Sequence, residues 1–236
     1  MAAPTGLSSQ LPRLTARHVA KVHREVAKVE SGAHLTPMSD ADFDAFAEEL
    51  LAQNHGRPFW VLAYGSLIWK PAFEYVEARS CLVPGWRRSF CLNLRNWRAT
   101  PDQPGLMLAL DRGGACRGMA YRMPDDAPQE RMLRLLKREL GSHEDKAWQR
   151  WVKVKVGGES LRALGFWCAP RSPDPDLLRL PLEEQARRLA RAVGHVGSCA
   201  EYLLNTVEHL EALGLRDSYL WRLQALVAAE IEALPA

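Results

Sequence analysis

A chain of 236 residues with 47% hydrophobic content is long enough to bury a full core and too apolar for disorder to dominate, so one large domain with helical additions is expected. Its 31 basic and 28 acidic residues leave a formal net charge of +3, too balanced to make nucleic acid or an anionic membrane surface the main partner. No run of about 18 apolar residues occurs, and the first residues lack the apolar core and small-residue cleavage site of a secretory signal, so a soluble, cytoplasmic protein is expected. Arg13, Arg17, Lys21 and Arg24 beside Ser8, Ser9 and Thr15 leave a transit segment open, and Glu25 and Glu30 count against it. The five cysteines, Cys81, Cys91, Cys116, Cys168 and Cys199, are odd in number and widely spaced, which suggests neither a zinc site nor a disulfide framework and fits a reducing compartment.

In chain order, residues 1–12 have no periodicity and read as a tail. Leu14 to Val29 has a rough helical period. Ser39 followed by Asp42 reads as a helix start, and Phe43, Phe46, Ala47 and Leu50 then fall at i, i+3, i+4 and i+7, which predicts an amphipathic helix over 40–53. An apolar run from Phe59 to Ala63 breaks at Tyr64-Gly65-Ser66, where glycine permits positive φ and close backbone approach, so the turn is a candidate anion-binding loop as well as a plain turn. Beyond it Glu74 to Val83 and Arg88 to Leu94 read as a hairpin turning at Pro84-Gly85, and Leu106 to Leu110 with Cys116 to Met123 as a second one turning at 111–114. Pro128 to Leu140 is helical, with Met132, Leu135, Leu136 and Leu140 on one side. Trp148 to Val156 and Leu161 to Cys168 form a further hairpin about Gly157-Gly158-Glu159, the stretch Pro170 to Pro181 is a connection, and Leu182 to Val193, Ala200 to Leu213 and Ser218 to Leu234 are helices. Short strands joined by hairpin-length turns argue against a doubly wound parallel sheet and for an α+β fold: a mixed, mostly antiparallel curved sheet or small barrel with helical segments at both ends. The division expected is an N-terminal tail and helical extension over 1–57 and the main domain over 58–236.

Familiar catalytic constellations are missing. There is no nucleophile elbow, phosphate loop, dinucleotide fingerprint or zinc helix, His18 and His23 are five apart and so lie on different helical faces, and His195 between Gly194 and Gly197 reads as a boundary residue. Ser66 has no sequence partner that marks a nucleophile. Glu139 stands beside the apolar stripe of its helix, where a carboxylate faces the edge of the core; a surface glutamate paired with Arg138 or Lys137 is the alternative.

Four blocks, Tyr64-Gly65-Ser66-Leu67-Ile68-Trp69-Lys70-Pro71, Val83 to Cys91, Gly118 to Pro124 and Lys137-Arg138-Glu139, resemble the ChaC family of γ-glutamylcyclotransferases in order and spacing, over about Pro58 to Leu234. The resemblance implies a γ-glutamylcyclotransferase-like fold and cleavage of a small molecule, glutathione, to 5-oxoproline and cysteinylglycine without metal or cofactor. It implies that Tyr64, Gly65, Ser66 and Leu67 bind the γ-glutamyl group, that Glu139 is the catalytic acid/base, and that Tyr202 reaches the site. The loop 140–147 departs from the family's glycine- and tyrosine-containing turn, which bears on substrate preference. Another γ-glutamyl peptide or amine as substrate, and a non-catalytic binding module, are the alternatives; the oligomeric state is left open.

Overall fold

The structure, a computed structural model, describes residues 12–28, 36–167 and 177–235. Most of the expected tail, Val29 at the end of the first expected helix, Cys168 and residues 170–176 of the connection lie outside the described residues. The fold is α+β. Five strands form a closed barrel in the order β1-β3-β2-β4-β5, and seven helices among the described residues surround it. The strands are β1 (Trp60–Ala63), β2 (Glu77–Leu94), β3 (Gly105–Arg122), β4 (Gln149–Val156) and β5 (Glu159–Phe166). All neighbours run antiparallel except β1 and β5, whose parallel pairing at Val61 and Leu164 closes the barrel.

The two hairpins expected at Pro84-Gly85 and 111–114 do not form. Each stretch is instead one strand of 18 residues, and β2 pairs with β3 from Glu77 opposite Arg122 to Leu94 opposite Gly105. The glycines that read as turns face each other across the ladder: pairing slips between Pro84, opposite Ala115, and Trp86, opposite Arg112. Gly85, Gly113 and Gly114 take positive φ there (80°, 104° and 69°). Turn residues placed opposite one another bend a two-stranded ribbon instead of reversing it, and that bend wraps the ribbon into a barrel. The β4–β5 hairpin forms as expected, with Gly157 and Gly158 both at positive φ in a two-residue turn.

The helix α1 (Ala16–Val22) stops seven residues short of the expected end, because His23 turns extended, and its Lys21 ammonium then donates to the carbonyls of Glu232 and Leu234 at the far end of the chain. The helix α2 (Asp40–Gln53) starts at a Ser39–Asp42 capping box and buries Phe43, Phe46, Ala47 and Leu50, as its periodicity predicts. The remaining helices are α3 (Ser66–Trp69), α4 (Pro128–Glu139), α5 (Leu182–Arg191), α6 (Cys199–Ala212) and α7 (Ser218–Glu232). A two-stranded hairpin of β6 (Val193–Gly194) and β7 (Gly197–Ser198) joins α5 to α6.

Strand alternation separates two cores. Trp60, Leu62, Val83, Leu110, Val152 and Val154 fill the barrel, while Val61, Ala63, Phe90 and Leu164 face outward to the helices. The outer core is the larger, and Leu14, Phe43, Leu136, Leu203 and Leu223 all belong to it, so the N-terminal helices share buried surface with the last three. Each such fully buried leucine or phenylalanine contributes about 1.5–3 kcal/mol of transfer free energy. Among the described residues no helix is long and apolar enough to cross a membrane.

Candidate active site

The chain leaves the barrel at Tyr64 and turns into the single turn α3 at Ser66. Gly65 has φ −137°, outside the left-handed region, and what its missing side chain provides is space: a β-carbon there would stand 3.0 Å from the Tyr202 hydroxyl and 3.3 Å from Leu108 Cδ2. Gly118 on β3 makes room in the same way beside the end of β1, since a β-carbon on it would lie 2.6 Å from the Ala63 carbonyl oxygen. Leu67 is buried in the outer core, and its packing fixes the short helix behind the loop.

Two hydrogen-bonding groups hold Tyr64 at both ends. Its hydroxyl donates to the Phe166 carbonyl at 2.7 Å, and its own carbonyl accepts from Arg88 Nε at 2.6 Å. Arg88 is 1% exposed and also donates to Asp217 Oδ2 at 2.9 Å and to the Arg117 carbonyl, while the other Asp217 oxygen caps α7 through the Leu220 amide. The loop is therefore braced by a buried cation that three other elements share. A lone buried arginine is costly, so this geometry depends on all of its partners being present.

Tyr202, on α6, reaches the loop from the helical side. Its ring meets Trp69 and Phe90 edge-on at 5.8 and 6.1 Å, and the Arg98 guanidinium lies 5.8 Å from its centroid. Burial pushes its phenol up to about 12, the Glu139 charge adds to that, and hydrogen bonds from the Ser66 hydroxyl and backbone N–H oppose it. The Tyr64 phenol is likewise held well above 10 by burial, then by Tyr202 and Glu139. Both hydroxyls thus stay protonated at neutral pH and able to donate.

Glu139 closes α4. Its side chain keeps only 20% of its surface exposed, with Oε1 3.4 Å from Arg138 Nε. Burial raises its carboxyl pKa and Arg138 offsets some of that rise. Because its charge acts on both phenols, Glu139, Tyr64, Tyr202 and Ser66 form one electrostatic group, drawn from three helices and the end of β1. Two buried polar atoms near this group find no hydrogen-bond partner among the described residues: Nε1 of Trp69, whose ring meets Tyr202, and Nη1 of Arg138, next to Glu139. Two surface hollows lie elsewhere, between α5 and α7 and at Pro71–Tyr75 with Arg134, and none of the four residues lines them.

The loop after Glu139 is fixed from two directions. Asp145 accepts from the Gly141 and Ser142 amides at 2.8 and 2.9 Å, and Thr36 to Met38 add a short bridge, with Pro37 opposite Ser142 and the His143 amide donating to the Thr36 carbonyl at 2.9 Å. Glu144 in turn accepts from the Thr36 amide and hydroxyl at 3.0 and 3.1 Å. Arg88 and Arg98 escaped the sequence reading. Arg88 carried one signal, a charge at the same parity as Phe90 in an alternating strand, whereas Arg98 lies in the irregular segment between β2 and β3 and carried none. His18 contacts Thr15 and Glu232, and His195 sits in the β6–β7 turn.

The family model described as ChaC-like protein matches residues 59–230. The chain is 36% identical over 163 residues to the glutathione-specific γ-glutamylcyclotransferase of Escherichia coli K12, covering 68% of each protein. It is 28% identical over 214 residues to the glutathione-specific γ-glutamylcyclotransferase 1 of Rattus norvegicus, covering 88% of this chain and 94% of that one. A crystal structure of a yeast γ-glutamyl cyclotransferase specific to glutathione shares the fold, with a TM-score of 0.64 at 20% identity over 73% of this chain and 96% of that one.

Proposed function

The chain belongs to the family of ChaC-like proteins, and on that premise we propose that it is a γ-glutamylcyclotransferase that cleaves glutathione to 5-oxoproline and cysteinylglycine. The observation that carries this reading is the buried carboxylate of Glu139, with its raised pKa, acting both on Tyr64 of the Tyr64-Gly65-Ser66 loop and on Tyr202 packed against it.

A γ-glutamyl amide supplies its own nucleophile. Its α-amine attacks the δ-carbonyl, the new N–C bond closes a five-membered ring, the old amide C–N bond breaks, and the amine of the remaining dipeptide leaves. Such a reaction asks the protein for a folded conformer and a proton carrier and needs no enzyme nucleophile or cofactor. Glu139 takes a proton from the α-ammonium group and returns one to the departing nitrogen. A raised pKa suits both halves of that task, since a carboxyl poised nearer neutrality accepts and releases a proton more readily. Tyr64, Gly65 and Ser66 hold the γ-glutamyl group, Tyr202 orients it by its protonated hydroxyl, and Leu67 anchors the loop. Ser66, hydrogen-bonded to Tyr202, is assigned to binding, since the substrate's own α-amine is the nucleophile.

The four described cysteines are buried, and burial raises the thiols of Cys81, Cys116 and Cys199 to about 11–12, which fits a cytoplasmic protein acting on a cytoplasmic thiol. The test is 5-oxoproline release from glutathione, compared with γ-glutamylcysteine, a γ-glutamyl amine and free glutamine. Release from glutathione well above the others supports the reading, and release from none of them overturns it.

A further inference from the structure

The substrate proposed above carries a second carboxylate at its far end, and none of the residues named for the γ-glutamyl group receives it. The barrel's inner face presents a receiver. Trp60 and Leu62 point into the barrel, and the next residue of that parity, just past the end of β1, is Tyr64; on β4, Val152 and Val154 point inward, and the preceding residue of that parity is Arg150. Val61 pairs in parallel with Leu164, so Tyr64 and Trp167, three residues further along each strand, leave the barrel at the same mouth. Trp86, Trp167 and Tyr64 pack against the one barrel core. Arg112 stands two residues from inward-facing Leu110 and opposite Trp86.

At that mouth Trp86 and Trp167 meet edge to face with centroids 5.2 Å apart. The Arg112 guanidinium lies 5.7 Å from the Trp86 centroid and 5.5 Å from that of Trp167, and the Arg150 guanidinium lies 5.6 and 4.9 Å from the same two. Two cations are thus gathered over a single pair of indoles. Among the described residues neither is paired with a carboxylate: Asp111, next to Arg112 in sequence, is taken by Arg87 and Arg179. The Trp167 indole N–H is buried there without a hydrogen-bond partner among the described residues. Cation–π contacts hold each guanidinium, but like charges over one ring pair repel, and an anion between them removes that repulsion while using the remaining N–H donors.

We infer that Arg112 and Arg150, braced on Trp86 and Trp167, form the subsite for the carboxylate at the far end of the γ-glutamyl peptide, and so select a peptide over a γ-glutamyl amine. This inference rests on the reading of the chain as a γ-glutamylcyclotransferase. The reach is suitable: β4 and β1 flank β5, so Arg150 and Tyr64 are two strand spacings apart, about 10 Å, and a tripeptide-length substrate spans about 10 Å when extended.

The test is steady-state kinetics of the full chain on glutathione and on its glycyl amide, in which the far carboxylate is neutral. Removing the carboxylate from the substrate, or the guanidinium from the protein in Arg112→Gln, is expected to raise KM by about 10- to 100-fold. The two losses are expected to occur once, not twice, when substrate and protein are changed together, and to fall on KM instead of kcat. Since Arg150 also braces Trp167, Arg150→Lys is the companion variant. It keeps the charge and loses the planar fork, and a smaller rise in KM for glutathione alone is expected. Equal KM for the two substrates in the wild type overturns the subsite while the cyclotransferase reading stands, as do variants that raise KM for both substrates alike. If the wild type releases 5-oxoproline from neither, both fall together.

Discussion

The Tyr202 hydroxyl stands 3.0 Å from the place a β-carbon on Gly65 would occupy, so α6 and the loop meet at a residue that has no side chain. That contact sets the relation between the loop proposed to hold the substrate and the helix packed against it. Gly65→Ala is expected to displace both Tyr202 and Leu108. Overpacking of this kind costs about 1–3 kcal/mol, and displacement of the loop by under an ångström lowers kcat/KM by about 10- to 100-fold. Urea midpoints and 5-oxoproline rates measured together check this, and a fully active alanine variant would show that the contact is incidental.

Glu139→Gln keeps the shape of the side chain and removes its proton chemistry. Loss of a general acid/base lowers kcat by about 10²- to 10⁴-fold. A rate within a few-fold of wild type would remove Glu139 from the mechanism.

The pH dependence of Glu139 follows from the direction of its shift. The folded pKa lies above the 4.5 of an unperturbed glutamate, so the folded state binds the proton more tightly. The stability tied to that proton is fully present below pH 4.5 and is lost as pH rises through the folded pKa. The difference in melting temperature between Glu139→Gln and wild type should therefore grow in the variant's favour as pH rises from 4.5. The acid limb of kcat/KM for the wild type should lie above 4.5, since the base must be ionised in the free enzyme.

Arg88 braces the Tyr64 carbonyl from inside the fold, with a side chain only 1% exposed. Arg88→Met leaves Asp217, itself 16% exposed, without its cation and takes the guanidinium donor from the Tyr64 and Arg117 carbonyls. Breaking a buried pair from one side costs about 3–5 kcal/mol, so this variant is expected to lose stability and activity together. Asp217→Asn keeps the cap on α7 and is expected to cost less, and denaturant midpoints of the two variants give the ranking.

Glu144 ties the segment Thr36–Met38 to the loop behind Glu139. Hydrogen bonds from its own backbone N–H and from that of Thr36 hold its pKa down to about 2. A depressed pKa places the stabilisation above pH 4.5 and removes it as pH falls toward 2. The His143 amide, which donates to the Thr36 carbonyl, should exchange faster with solvent below pH 4.5, after correction for intrinsic rates, and Glu144→Gln should abolish that pH dependence. An amide whose protection is flat across the interval would show that the clamp is not held by Glu144.

Periodicity was enough to place α2, α4 and the β4–β5 hairpin, because each buries a face whose spacing is written locally: Phe43, Phe46 and Leu50 on one side, Met132, Leu135 and Leu136 on another. The same local reading mistook Pro84-Gly85 and Gly113-Gly114 for reversals. Glycine and proline mark where a strand loses its pleat, but whether the chain then reverses or bends depends on the partner strand, and here the irregular points of β2 and β3 coincide across the ladder.

The loop Tyr64-Gly65-Ser66 and the carboxylate Glu139 were legible in the sequence, the first from a strand breaking at glycine and both from their family resemblance. Their mutual placement was not, since a separation of some 75 residues along the chain says nothing about distance across it. Closing the barrel through one parallel pair at Val61 and Leu164 is what brings Tyr64, Trp167 and the start of β4 to one mouth, and packing α6 on the outer core is what brings Tyr202 against Gly65. Sequence by itself determined which side chains are able to carry a proton and where the backbone is free to bend, because those are properties of single residues and short periods. Only tertiary structure decided that burial raises the Glu139 pKa and that Arg88 is a brace, because desolvation and shared hydrogen bonds exist only once distant segments exclude water together.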